Sequence, residues 1–169
     1  MISPKMLEAI NKQINRELYS EYLYLSMAAY LESEGLSGFG NFMRVQVQEE
    51  RFHAMKMYDF ILERGGKVVL EQIDQPKVEF ESALEIFELS LGHEKFISKS
   101  INELMDVAIA ENDHATKSFL NWFIDEQVEE EASMDNIVSQ LKLIGGQGHG
   151  LLMMDRELGQ RVFNAPTNA

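Results

Sequence analysis

The chain has no cysteine, and this absence excludes several kinds of chemistry at once. Without thiols it forms no disulfide, no cysteine nucleophile, no iron–sulfur cluster and no zinc site with cysteine ligands. A chain without cysteine is compatible with a reducing compartment, and we expect this protein to be cytoplasmic. Any reactive site must therefore be built from other side chains.

Proline and positive charge are also scarce. Three prolines and 45% hydrophobic residues predict a folded, mostly helical chain, and 169 residues suit a single core. Lys and Arg number 15 against 28 Asp and Glu, which gives a formal net charge of −13. We expect no nucleic acid partner, because phosphate binding needs a basic face. No uncharged apolar run approaches the roughly 20 residues of a membrane span, so we expect no membrane contact.

Four long segments repeat apolar residues at alternating spacings of three and four, which is typical of helices with one buried face. We predict helices over residues 4–32, 37–64, 82–112 and 113–144. Ser3 is a favourable N-cap, Pro4 a favourable first residue, and glycines follow three of the four segments. The prediction is an all-α protein with a four-helix bundle over residues 1–146.

Residues 66–81 join the second and third predicted helices and show little helical character. A helix of about 28 residues is about 42 Å long, and a linker of this size, fully extended, reaches about 50 Å. The linker can therefore run the whole length of the bundle, whereas the other two connections are short turns. This connectivity predicts an up-down-down-up bundle with one long crossover.

A glycine-rich joint and a short apolar segment follow the bundle. We predict a short fifth helix within residues 147–169, with a disordered tail at 164–169. A helix of this length is not stable alone, so it must pack on its own bundle or on a neighbouring subunit.

Each predicted long helix carries a carboxylate or an amide near its midpoint, on the face that is otherwise apolar. In the second helix, Glu50 and His53 lie about one turn apart on one face, so both can bind the same ion. Midpoints meet at one level of the bundle whatever the direction of each helix. The set comprises Glu17, Glu50, His53, Glu94, Gln127 and Glu130.

Several carboxylates at one level of an apolar core would repel one another and take up protons. Metal cations remove this cost, and oxygen ligands with one imidazole suit iron or manganese. The ligand count fits two ions, with Glu50 bridging, Glu17 and His53 on one ion, and Glu94 and Glu130 on the other. The alternatives are solvated glutamates or a buried ion-pair network, and the apolar faces offer no Lys or Arg for the latter.

Residues beside this set have more than one interpretation. Gln127 is a weak neutral ligand, and we expect it to hydrogen-bond a water or an oxygen species. Tyr24 either donates a hydrogen bond or an electron near the metals, or it only packs. Glu49, Glu126 and Glu129 form either a third metal site or a solvated acidic flank.

Four further polar residues have no assigned function. His93, His114 and His149 are predicted to lie at the surface rather than to bind a metal. Glu21 lies on the apolar face of the first helix, and the sequence indicates no partner for it.

At these motifs the chain resembles the prokaryotic non-haem ferritins nearly from end to end, notably at residues 15–20, 126–131 and 155–158. The resemblance implies a ferritin-like bundle that assembles with 23 copies of itself into a hollow 24-subunit shell. It implies oxidation of Fe(II) by dioxygen or hydrogen peroxide and storage of ferric mineral inside. It also implies that the short last helix lines the four-fold axis.

The resemblance further implies two ferroxidase irons per subunit and a possible third. The matching residues are Glu17, Glu50 and His53 for the first iron, Glu94 and Glu130 for the second with Glu50 bridging and Gln127 nearby, Glu49, Glu126, Glu129 and the shared Glu130 for the third, and Tyr24 beside the centre.

Two positions separate the chain from haem-binding relatives. Bacterioferritins carry a second Glu-x-x-His in the fourth helix, where this chain has Gln127 and Glu130 at that spacing. They also place a haem-ligating methionine after the glutamate of the second helix, where this chain has Arg51. We therefore expect no haem.

The residues leave three functions to be compared. The first is a ferroxidase and iron store. The second is a di-iron oxygenase or peroxidase, which needs an apolar pocket for an organic substrate beside the metals. The third is a non-enzymatic metal buffer or helical scaffold. Bulky side chains at Phe87, Leu91 and Phe123 leave no obvious room for an organic substrate, which favours the first.

Overall fold

The computed structural model describes residues 1–165, which form four long helices followed by a short one. No strand lies in that range. None of the helices in it is long and apolar enough to cross a membrane. The helices are α1 (Pro4–Ser33), α2 (Ser37–Glu63), α3 (Ala83–Ala110), α4 (His114–Ile144) and α5 (Gly148–Leu158).

Polar side chains determine where three of the long helices begin. Ser3, Ser82 and Asp113 each accept a hydrogen bond of 3.1 Å from the backbone N–H three residues ahead. These bonds satisfy donors that the helix itself leaves unpaired. The predicted bounds of the four long helices are confirmed to within two residues at each end.

Two apolar clusters, one towards each end of the bundle, show the direction of every long helix. One cluster contains residues from the second halves of α1 and α4 and the first halves of α2 and α3. The other contains residues from the first halves of α1 and α4 and the second halves of α2 and α3. The predicted up-down-down-up order is therefore confirmed, and the level between the clusters is where the helix midpoints meet.

The connection between α2 and α3 is confirmed as a long crossover, and it lies along α1. Near the start of α1, Asn11 accepts a hydrogen bond from the Val69 N–H at 2.7 Å and donates one to the Lys67 carbonyl at 3.1 Å. Near the end of α1, Ser26 Oγ donates to the Lys77 carbonyl at 2.7 Å. The crossover thus follows α1 from one end of the bundle to the other.

Helix α5 supplies the cap that α2 lacks. No side chain near the start of α2 in sequence caps that helix. Instead, Asp155 Oδ1 accepts hydrogen bonds from the backbone N–H groups of Gly38 at 2.8 Å and Phe39 at 3.0 Å. A carboxylate is favourable there because the N-terminus of a helix carries partial positive charge. The helix that holds Glu50 and His53 is therefore fixed at its start by the C-terminal segment.

The sequence left open whether α5 packs on its own bundle or on a neighbouring subunit. It packs on α2 and α4 of its own bundle. Its position at a symmetry axis of an oligomer stays a prediction. Of the tail predicted at 164–169, residues 166–169 lie outside the described residues.

Gly38 is the residue that makes this docking possible, and we expect Gly38→Ala to destabilise the protein. An ideal Cβ at Gly38 would lie 1.6 Å from the Asp155 carbonyl oxygen, so α5 would have to move. We expect a loss of about 1–3 kcal/mol in the free energy of unfolding. The measurement is guanidinium unfolding followed by circular dichroism.

The matched control is Gly92→Ala in α3, where nothing lies within 4 Å of an added Cβ. That substitution should increase stability by up to about 1 kcal/mol, because alanine has the higher helix propensity. Equal effects of the two substitutions would contradict the close approach of α5 to α2.

Candidate metal centre

A layer of buried polar side chains lies between the two apolar clusters. The structure brings all six residues predicted as the main set into the interior, each less than 8% exposed. A polar layer of this kind needs partners or cations, since buried charges are otherwise very costly. Its members are Glu17, Glu50, His53, Glu94, Gln127 and Glu130.

Glu17, Glu50 and His53 form the most compact part of this layer. One ligand atom from each lies within 4.8 Å of the others, and among residues 1–165 no other His, Asp or Glu trio meets that distance. The imidazole Nδ1 of His53 lies 3.7 Å from Glu50 Oε2. Glu17 Oε2 is buried and has no hydrogen-bond partner among residues 1–165. Two carboxylates and an imidazole with an unsatisfied oxygen fit a hard metal ion well.

The other half of the layer is held by hydrogen bonds. Glu94 accepts a bond from the Tyr24 hydroxyl on Oε1 and one of 3.1 Å from Gln127 Nε2 on Oε2. Glu130 Oε2 accepts a bond of 2.9 Å from Gln46 Nε2. Among residues 1–165, no third His, Asp or Glu joins Glu94 and Glu130 in a group as compact as that of Glu17, Glu50 and His53. Glu94 and Glu130 are thus oriented by hydrogen bonds, and the second metal site stays a prediction.

Burial and mutual repulsion make this layer a poor place for negative charge. Burial first, and then the charges of Glu94, Glu17 and Glu130, raise the pKa of Glu50 well above its ordinary value. Burial, followed by the charge of Glu130, raises the pKa of Glu94 to about 8. Without cations the layer therefore holds protons near neutral pH, and a metal ion must displace them.

Tyr24 and Gln127 both act as hydrogen-bond donors to Glu94. Tyr24 is fully buried, and burial, together with the charge of Glu94, raises the pKa of its phenol well above 10.0. The hydroxyl therefore stays protonated and can donate. The hydrogen bond predicted for Tyr24 is thus present. The Gln127 amide, which was predicted to bond a water or an oxygen species, donates to the Glu94 carboxylate.

The flank predicted as a third metal site is only partly buried. Glu49 and Glu126 are half-buried, and Glu129 is exposed. Burial raises the pKa of Glu49 to about 7, while Arg161 opposes this shift. Arg161 Nη2 lies 2.7 Å from Glu49 Oε2. The flank thus has a protein cation beside one of its three carboxylates.

Two buried glutamines that the sequence interpretation missed orient the carboxylates. Gln13 Nε2 donates to Glu17 Oε1 at 2.8 Å, and Gln46 makes the bond to Glu130 described above. Each is fully buried. Gln13 precedes Glu17 by four residues and Gln46 precedes Glu50 by four, so both lie on the ligand face of their helix. A polar residue one turn before a ligand was a signal that could have found them.

An arginine lies behind each glutamine. Arg16 Nη1 donates to Gln13 Oε1 at 3.2 Å, and Ser100 donates to the same oxygen. Arg161 Nη1 donates to Gln46 Oε1. The sequence interpretation found no basic residue on the apolar faces, and both arginines do reach the layer from outside those faces. Arg161 comes from the segment after α5, where no spacing rule points to it.

The four polar residues without an assigned function have mixed outcomes. Glu21 pairs with Arg51 at 2.8 Å. His114 and His149 are exposed, as predicted, whereas His93 is half-buried and its Nε2 lies 2.7 Å from Ser20 Oγ. Burial lowers the pKa of His93 to about 4, so this imidazole is neutral at ordinary pH. It fills a space between α1 and α3.

Four long helices in up-down-down-up order, with inward carboxylates and a histidine at mid-height, are typical of helix bundles that bind metals in their core. Known proteins agree with this class. A family model described as a ferritin-like domain matches residues 7–144. The bacterial non-heme ferritin of Staphylococcus epidermidis is 43% identical over 97% of this chain and 99% of its own length. The corresponding Staphylococcus aureus protein is 42% identical over the same shares.

Solved structures give the same result. A ferritin of Archaeoglobus fulgidus engineered into a closed form is 54% identical with a TM-score of 0.95, covering 97% of this chain and 100% of that one. An open-pore ferritin from the same archaeon is 54% identical with a TM-score of 0.94, covering 96% and 100%. This chain therefore belongs to the ferritin family, and this membership supports a role in iron storage.

The raised pKa of Glu94 predicts an unusual pH dependence for the metal-free protein. Between the ordinary value of 4.5 and the folded value of about 8, the folded state binds more protons than the unfolded state. Unfolding free energy therefore falls as pH rises through that window. We expect the midpoint of thermal unfolding to drop by roughly 5 °C between about pH 5 and about pH 8.

The measurement is thermal unfolding of chelator-treated protein across that pH range. Glu94→Gln removes the titrating group and should flatten the profile. Identical slopes for the two proteins would show that Glu94 does not carry the effect.

Proposed function

We propose that this protein oxidises Fe(II) to Fe(III) at a di-iron ferroxidase centre within each subunit and stores the product as ferric oxo-hydroxide. The observation that carries this proposal is the compact group of Glu17, Glu50 and His53, with a buried carboxylate oxygen left unsatisfied within the described chain. Two Fe(II) ions each give up one electron, and dioxygen or hydrogen peroxide accepts the pair. Iron is here the substrate and the stored cargo.

Each of the two ions has its own ligands, and one carboxylate is shared. Glu17 and His53 serve the first iron, Glu94 and Glu130 serve the second, and Glu50 lies between them. Binding of cations offsets the repulsion that otherwise raises the pKa values of Glu50 and Glu94, so Fe(II) entry releases protons. The layer then passes from protonated carboxyls to charged ligands.

Tyr24 and Gln127 act on the second iron through Glu94. Both donate hydrogen bonds to its carboxylate, which fixes the orientation of the ligand. Tyr24 is also close enough to the centre to supply an electron. When the Gln127 amide rotates away from Glu94, it can hydrogen-bond an oxygen species instead.

A third iron would bind at Glu49, Glu126 and Glu129, with Glu130 shared. Burial first, and then the charges of Glu129 and Glu130, raise the pKa of Glu126, and this repulsion among carboxylates supports the site. A cation would relieve that repulsion. Arg161 is already close to Glu49, so we expect the third iron to bind more weakly than the first two.

We further propose a shell of 24 subunits in the cytoplasm, without haem, membrane or nucleic acid partners. Residues 147–169 would then form the packing unit at the four-fold axis. Large apolar side chains exposed along the crossover and on α1 support association of subunits, since contiguous exposed apolar surface marks interfaces. These are Leu25, Val69, Leu70, Ile73 and Val78.

The space around the centre favours iron over an organic substrate. The surface depression that includes Gln127 also touches Ser98 and Glu131, and its volume is about 120 Å³. Pockets for organic ligands are roughly 300–1,000 Å³. An oxygenase would need a larger apolar cavity next to the metals than this one.

Aerobic loading with Fe(II) tests the proposal directly. The metal-free protein should oxidise Fe(II) quickly, and size-exclusion chromatography should show hundreds of irons per shell eluting with the protein. Glu50→Ala should reduce oxidation to the rate in buffer alone while the shell still assembles, because it removes the bridging carboxylate. Glu8→Ala, at an exposed position of α1, is the control and should behave as the wild type.

Other outcomes identify the competing functions. About two or three irons per subunit on a small oligomer would contradict storage and favour a soluble oxygenase or peroxidase. Iron binding without oxygen consumption would favour a metal buffer. A Glu50→Ala variant with a normal rate would sink the assignment of the centre.

Tyr24→Phe tests the phenol alone. The ring still fills its buried position, but Glu94 loses a hydrogen bond, so we expect Fe(II) oxidation to slow about tenfold. Stopped-flow absorbance of ferric product gives the rate. Tyr30→Phe, in the same helix but packed against Phe80 of the crossover, should leave the rate unchanged; a similar loss in both variants would mean that the Tyr24 hydroxyl has no specific part.

A further inference from the structure

Arg161 is the point where the C-terminal segment touches the metal layer. Its guanidinium donates to Gln46 Oε1 through Nη1 and lies 2.7 Å from Glu49 Oε2 through Nη2. The planar fork of arginine suits two acceptors held side by side. One side chain thus contacts both the support of Glu130 and a residue of the acidic flank.

The position of Arg161 is fixed from two directions. Asn41 Nδ2 donates to the Arg161 carbonyl at 2.9 Å and to the Leu158 carbonyl at 3.2 Å, which ties this backbone to α2. The guanidinium carbon lies 4.1 Å from the centre of the Phe42 ring, within range of a cation–π interaction. The guanidinium is therefore placed by the fold and not only by its charged partner.

Arg161 decides which way the Gln46 amide faces. A guanidinium only donates hydrogen bonds, so the amide oxygen of Gln46 must point to it. The NH₂ group is then turned to Glu130 Oε2, 2.9 Å away, where a carboxylate needs a donor. Gln46 is fully buried, so no water compensates a wrong orientation. A reversed amide would set its oxygen against Glu130 and push that ligand away.

Arg161 also brings a positive charge to the flank beside the centre. A metal ion that uses Glu49 would meet this guanidinium at close range, and like charges repel. The side chain of Arg161 is 24% exposed, so water screens this repulsion only in part. The same contact that orders Glu130 therefore opposes a cation at Glu49.

We propose that Arg161 is a positioning residue with two opposite effects: it orients Glu130 for the second iron through Gln46, and it weakens metal binding at Glu49 by occupying that carboxylate. This inference rests on the proposed function, because it concerns the second and third iron sites of the same centre. It makes the relative filling of the two sites depend on the C-terminal segment.

Anaerobic titration of the metal-free shell with Co(II) tests both effects without any redox step. Calorimetry gives the number of ions and their affinities, and visible absorption reports their coordination. In Arg161→Gln we expect second-site affinity to fall about tenfold and third-site affinity to rise about tenfold. A merely structural defect would weaken both sites together, so the opposite signs are the diagnostic result.

Two further variants sharpen the test. Arg161→Lys keeps the charge and loses the fork, so the second site should weaken while the third stays weak. Arg44→Gln removes a different ion pair, in which Arg44 of α2 lies 2.6 Å from Glu32 of α1, and it should change neither site. Guanidinium unfolding of all variants checks that they fold.

The outcomes separate this inference from the proposed function. One possible result is that the wild type binds two or more Co(II) ions, that Glu50→Ala loses them and that Arg161→Gln binds them unchanged. This result would overturn the role of Arg161 and leave the di-iron centre intact. Parallel weakening of both sites would overturn it as well. A wild type that binds no Co(II) would overturn the di-iron centre and this inference with it.

Discussion

The structure depends on one constraint: four glutamates, a glutamine and a histidine share one level of an otherwise apolar bundle. Such a layer is unfavourable without cations, because burial and repulsion both act against charge. The two apolar clusters above and below it pack the four helices together on either side of that level. Apolar packing at the two ends of the bundle therefore offsets the cost of the buried carboxylates between them.

The sequence predicted those parts of the molecule that follow from local spacing. Helix bounds follow from caps, glycines and the apolar repeat, and the crossover follows from its length. The positions of Glu17, Glu50, His53 and Glu94 follow from their places near helix midpoints. The compact trio of Glu17, Glu50 and His53 could be predicted from the antiparallel pairing of α1 and α2 without any more distant contact.

What the sequence did not predict depends on residues far apart in the chain. Asp155 caps α2 across more than a hundred residues, and Arg161 reaches Gln46 from a segment with no regular spacing. His93 is half-buried because it contacts Ser20 of α1, and the spacing within its own helix does not reveal that contact. Gln13 and Gln46 differ, since their spacing from the ligands was visible and was overlooked.

The crossover divides the chain into two helical hairpins, and each hairpin carries half of the polar layer. Helices α1 and α2 form one hairpin, α3 and α4 another, and contacts within each hairpin are local in sequence, which favours their early formation. The first hairpin alone carries Glu17, Glu50 and His53, and the second carries Glu94, Gln127 and Glu130. Each half of the polar layer therefore belongs to one hairpin, and the two halves meet only when the hairpins dock. In the proposed centre, ions held by both halves would cross-link the two hairpins after they dock.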